Sequence, residues 1–483
     1  MIFSTYSFVF VFLPLVLILY FGMARFVTRK IQQVFLIAAS LIFYGALFFN
    51  GFNNLSYIWL ILSSVIVNYS VGLGVQGIRK PISRKIVFII GILFNIGLLG
   101  YYKYYNFFLE NVNVVFGTEY VLKYIVLPIG ISFFTFQQIA FLIGLWKREE
   151  KVPPFLDYTL FIVFFPQLVA GPIVFLKDVL SQYQDEKNRF FNMDNFSKGI
   201  FIFIIGLFKK AVIADSIETF AYTAFYNPDV LTFGSAWLGS LAYTFQIFFD
   251  FSGYSDMAIG LAKMMNINLP VNFLSPYKSK SITEFWKRWH ITLGRSLAVL
   301  IYFPLGGNRK GLPRTCFNLF MVFLVSGIWH GAAWTFIIWG IAHGIVRVFE
   351  KLFEKPLERI PAFIRIFFTF IFVNAAWVLF RSQTLEDAFT FLKKMFLPES
   401  ISFDGIGALA FNANISYPET LAVIYVLVFL AILAAVVFVY PKNSIDKYNE
   451  FRPTSKAAVI MALMFSISIV HFSRVGAFIY FNF

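Results

Sequence analysis

Two of the four histidines in this chain, His330 and His343, fall in one apolar run from about Phe317 to Phe349. An ionisable ring placed in the middle of a membrane-depth stretch is costly, and it marks a functional position by default. His330 lies in Gly327-Ile328-Trp329-His330-Gly331-Ala332-Ala333-Trp334, with a tryptophan on either side. Neutral imidazole, with an unperturbed pKa of about 6.5, can take the proton of a hydroxyl as that oxygen attacks an acyl carbon. On a single continuous helix His343 would lie about 220° around from His330. His330 is therefore expected to do the chemistry and His343 to be structural. Gly327 and Gly331 are four apart, as are Gly340 and Gly344. Each pair would clear one face of a helix for a close neighbour.

Two further stretches hold chemistry-bearing side chains. Glu284-Phe285-Trp286-Lys287-Arg288-Trp289-His290 mixes basic and aromatic residues. It reads either as an interfacial helix anchored among headgroups or as part of a phosphate-binding surface completed by Lys278, Lys280, Arg309 and Lys310. His290 is either an ordinary solvated histidine or the companion of His330. In Gln246 to Asp256, Gln246 and Asp250 share a helical face. That stretch is either a polar seam gluing helices together, or the wall of a wet cavity with Asp250, Tyr254 and Asp256 facing it. No Gly-rich phosphate loop, Cys/His metal pattern or Gly-x-Ser-x-Gly elbow is present. Four scattered histidines and one cysteine, Cys316, argue against a zinc site. A single cysteine also excludes an internal disulfide.

The elements that must hold these groups are membrane helices. Hydrophobic residues make up 59% of the 483 and charged residues 13%, about half the charge of a soluble protein. The apolar residues come as runs of roughly 18 or more, the pattern of a polytopic helical membrane protein. Candidate spans are near 7–23, 33–49, 55–76, 86–102, 122–145, 197–226, 232–262, the His330 helix, 362–380, 418–440 and 456–472. Residues 157–175, interrupted by Phe165-Pro166-Gln167 and Gly171-Pro172, read as a broken or re-entrant element covered by protein. Residues 293–307, ending in Pro304-Leu305-Gly306-Gly307, read as a second. The stretch 177–198 should lie along the surface, 263–290 as short interfacial helices, and 382–417 as a loop with a short amphipathic helix.

The net charge of +15 is mainly a topology signal. Arg25, Arg29 and Lys30, then Arg79 to Lys85, then Lys147 to Lys151 fall on alternate loops, as expected for a retained first helix with the N-terminus outside. No soluble basic module exists to bind nucleic acid.

At this point the residues resemble the membrane-bound O-acyltransferases, in particular the bacterial branch that O-acetylates alginate. The likeness runs through Leu127-Pro128-Ile129-Gly130, Phe165-Pro166-Gln167, Asp250-Phe251-Ser252-Gly253-Tyr254-Ser255-Asp256 and Asn272-Phe273-Leu274-Ser275-Pro276-Tyr277. It continues through Phe285 to His290, Pro304 to Arg309, Trp329-His330-Gly331 and the closing Phe478-Ile479-Tyr480-Phe481-Asn482-Phe483. The chain departs from the family where an Arg-Asp-Tyr is usual: it has Ala298-Val299-Leu300, and Gly294 replaces a serine.

The resemblance implies a single all-α domain over 1–483, with about eleven or more transmembrane helices plus re-entrant and interfacial helices around a central tunnel. It implies a multi-pass protein of the bacterial cytoplasmic membrane. His330 matches the family's catalytic histidine and His290 its second important one. Asp250, Tyr254, Asp256, Trp329 and Trp334 would line the tunnel, and Lys278, Lys287, Arg288 and Arg309 would hold the donor. The donor is expected to be a cytoplasmic thioester such as acetyl-coenzyme A, with no permanently bound cofactor. The acceptor is expected to be an exported polysaccharide (alginate-like, cellulose or peptidoglycan), reached directly or through a periplasmic or extracellular acetyltransferase partner. D-alanyl transfer to teichoic acids and an inactive scaffold for a secreted enzyme are the alternatives.

Overall fold

The structure, a computed structural model, describes residues 2–46, 48–49, 52–169, 171–402, 419–474, 476 and 479. The described residues are mostly helical, with non-helical stretches such as 117–130 and 265–275 and a two-residue antiparallel pairing of Phe48–Phe49 with Phe52–Asn53. Among the described residues, five helices are long and apolar enough to cross a membrane: Ser7–Arg25, Leu55–Gly77, Pro81–Phe116, Gly311–His330 and Ala362–Arg381. Shorter apolar helices accompany them, at Ile131–Trp146, Ile291–Tyr302, Leu427–Val439 and Ser455–Val470. Large apolar side chains on these helices remain exposed, Ile18 at 69% and Phe363 at 72% among them. In water that would be a liability; for a multi-pass membrane protein it is the lipid-facing surface. The chain packs as two compact units.

The first unit comprises Met1–Leu207, Tyr254–Val271 and Phe451–Phe472. Its second helix is Arg29–Gly45, not 33–49. It starts earlier because its polar residues have partners. Gln32 Nε2 donates to the Tyr20 carbonyl at 2.8 Å and Gln33 Nε2 to Asp157 Oδ1 at 2.7 Å. Three helices are then tied by a buried amide cluster. Asn68 Nδ2 donates to Gln138 Oε1 at 2.6 Å, Asn95 Nδ2 to Asn68 Oδ1 at 2.6 Å, and the Ser64 hydroxyl to Gln138 Oε1 at 2.7 Å. In an apolar surround such bonds replace water that is not there.

The span expected at 122–145 shortens to Ile131–Trp146. Pro128 supplies no N–H, and Gly130 turns the chain at φ 79°. A Cβ on Gly130 would meet the Leu168 carbonyl at 2.8 Å, so glycine is required both by conformation and by space.

The broken element occurs as expected. Helix Phe155–Val163 stops at Phe164, a single turn Phe165–Leu168 follows, and helix Leu176–Gln184 comes after an extended stretch. Its interior is sealed: Tyr158, Phe161, Val163 and Phe165 are fully buried. The freed backbone groups find protein partners. Phe165 N–H donates to the Ser40 hydroxyl at 3.1 Å, and the Gln167 amide donates to the Phe161 carbonyl at 2.6 Å. That is the condition under which irregular backbone survives at membrane depth.

The second unit comprises Phe208–Gly253, Asn272–Glu450 and Ser473–Phe483. Its first helical stretch carries a π-helical turn at Lys209–Ala214 before helix Asp215–Tyr226. After helix Phe233–Met264, residues up to His290 hold only short helical elements, Pro276–Lys278 and Ile282–Trp286, but these are not interfacial as expected: Tyr277, Ile282, Phe285 and Trp289 are buried in the protein. The expected 293–307 element is helix Ile291–Leu297 followed by a π-turn over Ala298–Tyr302.

The run from Phe317 to Phe349 is not one helix. It divides into Gly311–His330 and Trp334–Leu352, with Gly331 extended between them. The glycines bring these two helices together across the break. A methyl on Gly340 would meet the Phe323 carbonyl at 2.5 Å and the Gly327 Cα at 3.1 Å. Gly327 and Gly340 are thus each other's close neighbour, while Gly331 makes room for the Phe336 ring and Gly344 for the Phe320 ring.

The amphipathic helix expected within 382–417 is Leu385–Phe396, started by a reciprocal cap between Thr384 and Asp387. The rest of that loop, 403–418, lies outside the described residues, as do Phe478 and the closing residues 480–483.

Candidate active site

His330 is the last residue of its helix, not a mid-helix residue as the apolar run suggests. The helix ends there because Gly331 adopts φ −159° and ψ 154°. The ring is nevertheless buried, 3% exposed. It packs at near right angles on Trp339, with centroids 5.2 Å apart, and on Phe380 at 5.1 Å; Trp329 lies 4.9 Å away. Three aromatic rings thus fix its orientation and exclude bulk water.

His290 is fully buried, so it is not an interfacial, solvated histidine. It packs on Phe251 at 4.7 Å and lies 6.3 Å from Trp329, centroid to centroid. Trp329 therefore neighbours both histidines. The backbone of His290 is left-handed, φ 44° and ψ 50°, a conformation disfavoured for a residue with a Cβ and concentrated at functional positions.

Asn272 holds that turn. Its Oδ1 accepts from Thr292 N–H at 3.2 Å and the Thr292 hydroxyl at 2.7 Å, and its carbonyl accepts from Ile291 N–H at 3.1 Å. Because Thr292 N–H can only donate, the amide orientation is fixed, and the same Oδ1 faces His290 Nδ1 at 3.4 Å. An amide oxygen only accepts. A hydrogen bond along this contact therefore requires the tautomer with the proton on Nδ1.

His343 belongs to the second helix of the pair, so its angular relation to His330 on one helix does not apply. It is buried, 4.7 Å from Trp339 and 5.0 Å from Phe372 between ring centroids. Its Nδ1 accepts from Trp286 Nε1 at 3.3 Å. Trp339 therefore touches both His330 and His343.

Asp250 is 2% exposed, and the cavity-wall expectation gives way to an ion cluster around it. Lys210 Nζ lies 2.7 Å from Asp250 Oδ1 and 2.7 Å from Asp215 Oδ1. Asp250 Oδ2 also accepts the Ile479 backbone N–H at 2.8 Å. Tyr254 and Asp256 belong to the first unit and are buried there; Tyr254 stacks on Phe3 at 4.8 Å. Trp329 is buried, but Trp334 heads its helix with 51% exposure, so it is not enclosed with His330.

The expected basic cluster is only partly available to an anion. Arg288 pairs with Glu284 at 2.7 Å, and Lys278 donates to the Tyr440 carbonyl. Lys287 lies within electrostatic reach of Glu354. Arg309 and Lys310 are exposed in the turn before Gly311.

Sequence reading missed Lys210, Asp215, Asn272, Thr292 and Trp339. Lys210 did carry a signal, because a Lys209-Lys210 pair inside an apolar stretch is expensive unless partnered. Asn272 lay within a quoted motif, but nothing in its spacing showed that it reaches His290.

These features define a polytopic helical membrane protein with two deeply buried histidines sharing one aromatic enclosure. The family model of the membrane-bound O-acyltransferases matches residues 122–385. A peptidoglycan O-acetyltransferase of Helicobacter pylori is 36% identical over 100% of this chain and 98% of its own length. A probable alginate O-acetylase of Pseudomonas putida is 40% identical over 82% of this chain and 80% of its own. A teichoic acid D-alanyltransferase of Bacillus subtilis is more distant, 29% identical over 53% of this chain and 69% of its own. The chain belongs to the membrane-bound O-acyltransferase family. It is an O-acyltransferase.

Proposed function

We propose that this O-acyltransferase transfers an acetyl group from a thioester donor, supplied at the cytoplasmic side of the bacterial inner membrane, to a hydroxyl destined for an exported cell-envelope polysaccharide. The relatives named for peptidoglycan and alginate acetylation, at 36% and 40% identity, support acetyl as the group. The observation that carries the chemistry is the burial of His330 and His290, with Trp329 a ring neighbour of both.

In this reading His330 takes the proton of the acceptor hydroxyl as its oxygen bonds to the acyl carbon. The carbon–sulfur bond breaks, and the proton passes to the departing thiolate, leaving a free thiol. His290 positions the donor. With its proton on Nδ1 toward Asn272, the neutral ring offers Nε2 as an acceptor, suited to an N–H of the donor's amide-bearing arm rather than to the acyl carbonyl. Lys287, Arg309 and Lys310, with Lys278, Lys280 and Arg288 as a secondary set, would attract the donor's phosphates. The N-terminus lies outside and the acceptor is reached from the outer side, directly or through an extracytoplasmic acetyltransferase partner.

The test uses purified protein and acetyl-coenzyme A. Coenzyme A release, with a soluble sugar hydroxyl as acceptor, should require His330. His330→Ala that inserts normally yet releases coenzyme A at the wild-type rate would sink the mechanism. D-alanyl transfer is disfavoured if acetyl-coenzyme A supports turnover and a D-alanyl thioester does not.

A further inference from the structure

A second feature lies wholly within the second unit, apart from His330 and His290. It is a cleft of about 410 Å³ walled by helix Trp334–Leu352, the short helix Glu354–Glu358, helix Ala362–Arg381 and the segment Lys280–Thr283. Val346 and Glu350, Glu354 and Glu358, and Arg365 and Thr369 all line it, and the members of each pair are four apart. Each helix thus turns one stripe toward the cleft. The volume falls in the range of about 300–1,000 Å³ typical of small-molecule sites. One edge is apolar and exposed. It includes Phe349 and Phe368, the latter 64% exposed on a helix long and apolar enough to span the membrane. That edge opens onto lipid rather than water.

The rest of the lining carries charge of both signs, and most of it is already paired. Arg347 faces Glu350 at 3.8 Å, and Lys351 pairs with Glu354 at 2.8 Å. Glu350 also accepts from the Ile282 N–H, from the Thr283 N–H at 2.9 Å and from the Thr283 hydroxyl at 2.6 Å. Three charged side chains that line the cleft, Lys280, Glu358 and Arg365, have no ion-pair partner among the described residues. Lys280 and Glu358 are exposed. Arg365 differs, because its Nε is buried and makes no hydrogen bond. A buried cationic N–H without an acceptor is costly, and a ligand oxygen would remove that cost. Two cations and one carboxylate are therefore open to a ligand that enters from the membrane.

From this arrangement we infer that the cleft binds an ethanolamine phospholipid, with its phosphate at Arg365 and Lys280, its ammonium at Glu358 and an acyl chain along Phe349 and Phe368. The phosphate supplies the acceptor that Arg365 Nε lacks, in the charge-assisted form that is strongest. The primary ammonium supplies N–H donors to Glu358. A choline headgroup has no N–H to give, and a glycerol headgroup has no cation. A free polyanion such as coenzyme A would meet Glu354 and Glu358, a like-charge juxtaposition that disfavours it here.

Native mass spectrometry of the full chain released from detergent tests this, with phosphatidylethanolamine, phosphatidylcholine or phosphatidylglycerol of identical chains added in turn. Phosphatidylethanolamine should be retained as a discrete adduct, on the order of tenfold more than either of the others, the equivalent of one charge-assisted hydrogen bond. Arg365→Gln should weaken that adduct by a similar factor. Glu358→Gln, at an exposed position that folding does not depend on, should reduce phosphatidylethanolamine to the level of phosphatidylcholine. Val346→Trp or Thr369→Trp, each filling the cleft from a different wall, should remove the adduct; monodisperse elution and unchanged helical circular dichroism identify folded variants. Equal retention of the three lipids, better retention of phosphatidylglycerol, or an unchanged preference in Glu358→Gln overturns the headgroup assignment. Release of the bound lipid by added coenzyme A would give the cleft to the thioester donor and overturn the proposal. Adducts that survive both tryptophan substitutions in folded protein overturn the site.

Discussion

Replacing Lys210 with Met should destabilise the protein more than replacing Asp250 with Asn, although both break the same 2.7 Å ion pair. The asymmetry follows from the third member. Lys210 sits between two carboxylates, Asp215 and Asp250, and all three side chains are 4% exposed or less. Lys210→Met leaves two buried carboxylates with no cation between them, a loss of the kind that costs about 3–5 kcal/mol. Asp250→Asn leaves Lys210 against Asp215, and the new amide oxygen can still accept from Ile479 N–H. Its cost should be nearer that of one charge-assisted hydrogen bond, about 1.5–3 kcal/mol. The triple change Lys210→Met, Asp215→Asn, Asp250→Asn removes every charge of the trio and should recover part of the loss, since neutral replacement of a buried ion cluster is often tolerated. The assay is reversible unfolding in mixed micelles, followed by tryptophan fluorescence, with midpoints compared across the three variants. The reasoning fails if Asp250→Asn is the more damaging single change, or if the triple variant is no more stable than Lys210→Met.

Other outcomes follow from the site. His330→Ala should lower acetyl transfer by about 10²–10⁴-fold, the usual contribution of a positioned base, with the amount of inserted protein unchanged on immunoblot; an undiminished rate refutes the role. Asn272→Ala removes the acceptor that faces His290 Nδ1 and holds Thr292. It should raise the donor KM more than it lowers kcat, and a pure kcat effect would place His290 at the chemical step instead. Gly340→Val would drive a side chain into the Phe323 carbonyl and should reduce folded yield severely; normal yield would mean the two helices can separate. Trp286→Phe removes the indole donor to His343 Nδ1 and should cost about 1 kcal/mol in the same unfolding assay; an unchanged midpoint refutes a stabilising role for that bond.

The sequence by itself determined the solvent and singled out the candidate chemical groups. Long apolar runs with sparse charge admit only membrane helices, because the backbone must satisfy its own hydrogen bonds in lipid. The two prolines and the glycine within 165–172 showed a broken element, since each proline removes a backbone donor and glycine favours no helix. The rarity of histidine, and its cost in an apolar run, singled out His330, and the motif around His290 carried the second ring.

Only the tertiary structure decided the pairings. Whether the Phe317–Phe349 run is one helix or two depends on the extended backbone at Gly331, and an apolar run without proline carries no mark of that break. That Gly327 meets Gly340, that Asn272 faces His290 Nδ1, and that Lys210 sits between two carboxylates are contacts between residues that no motif links. Periodicity reports which side of a helix a residue occupies. It cannot report which other helix lies against that side, and the site's electrostatics rest on that second fact.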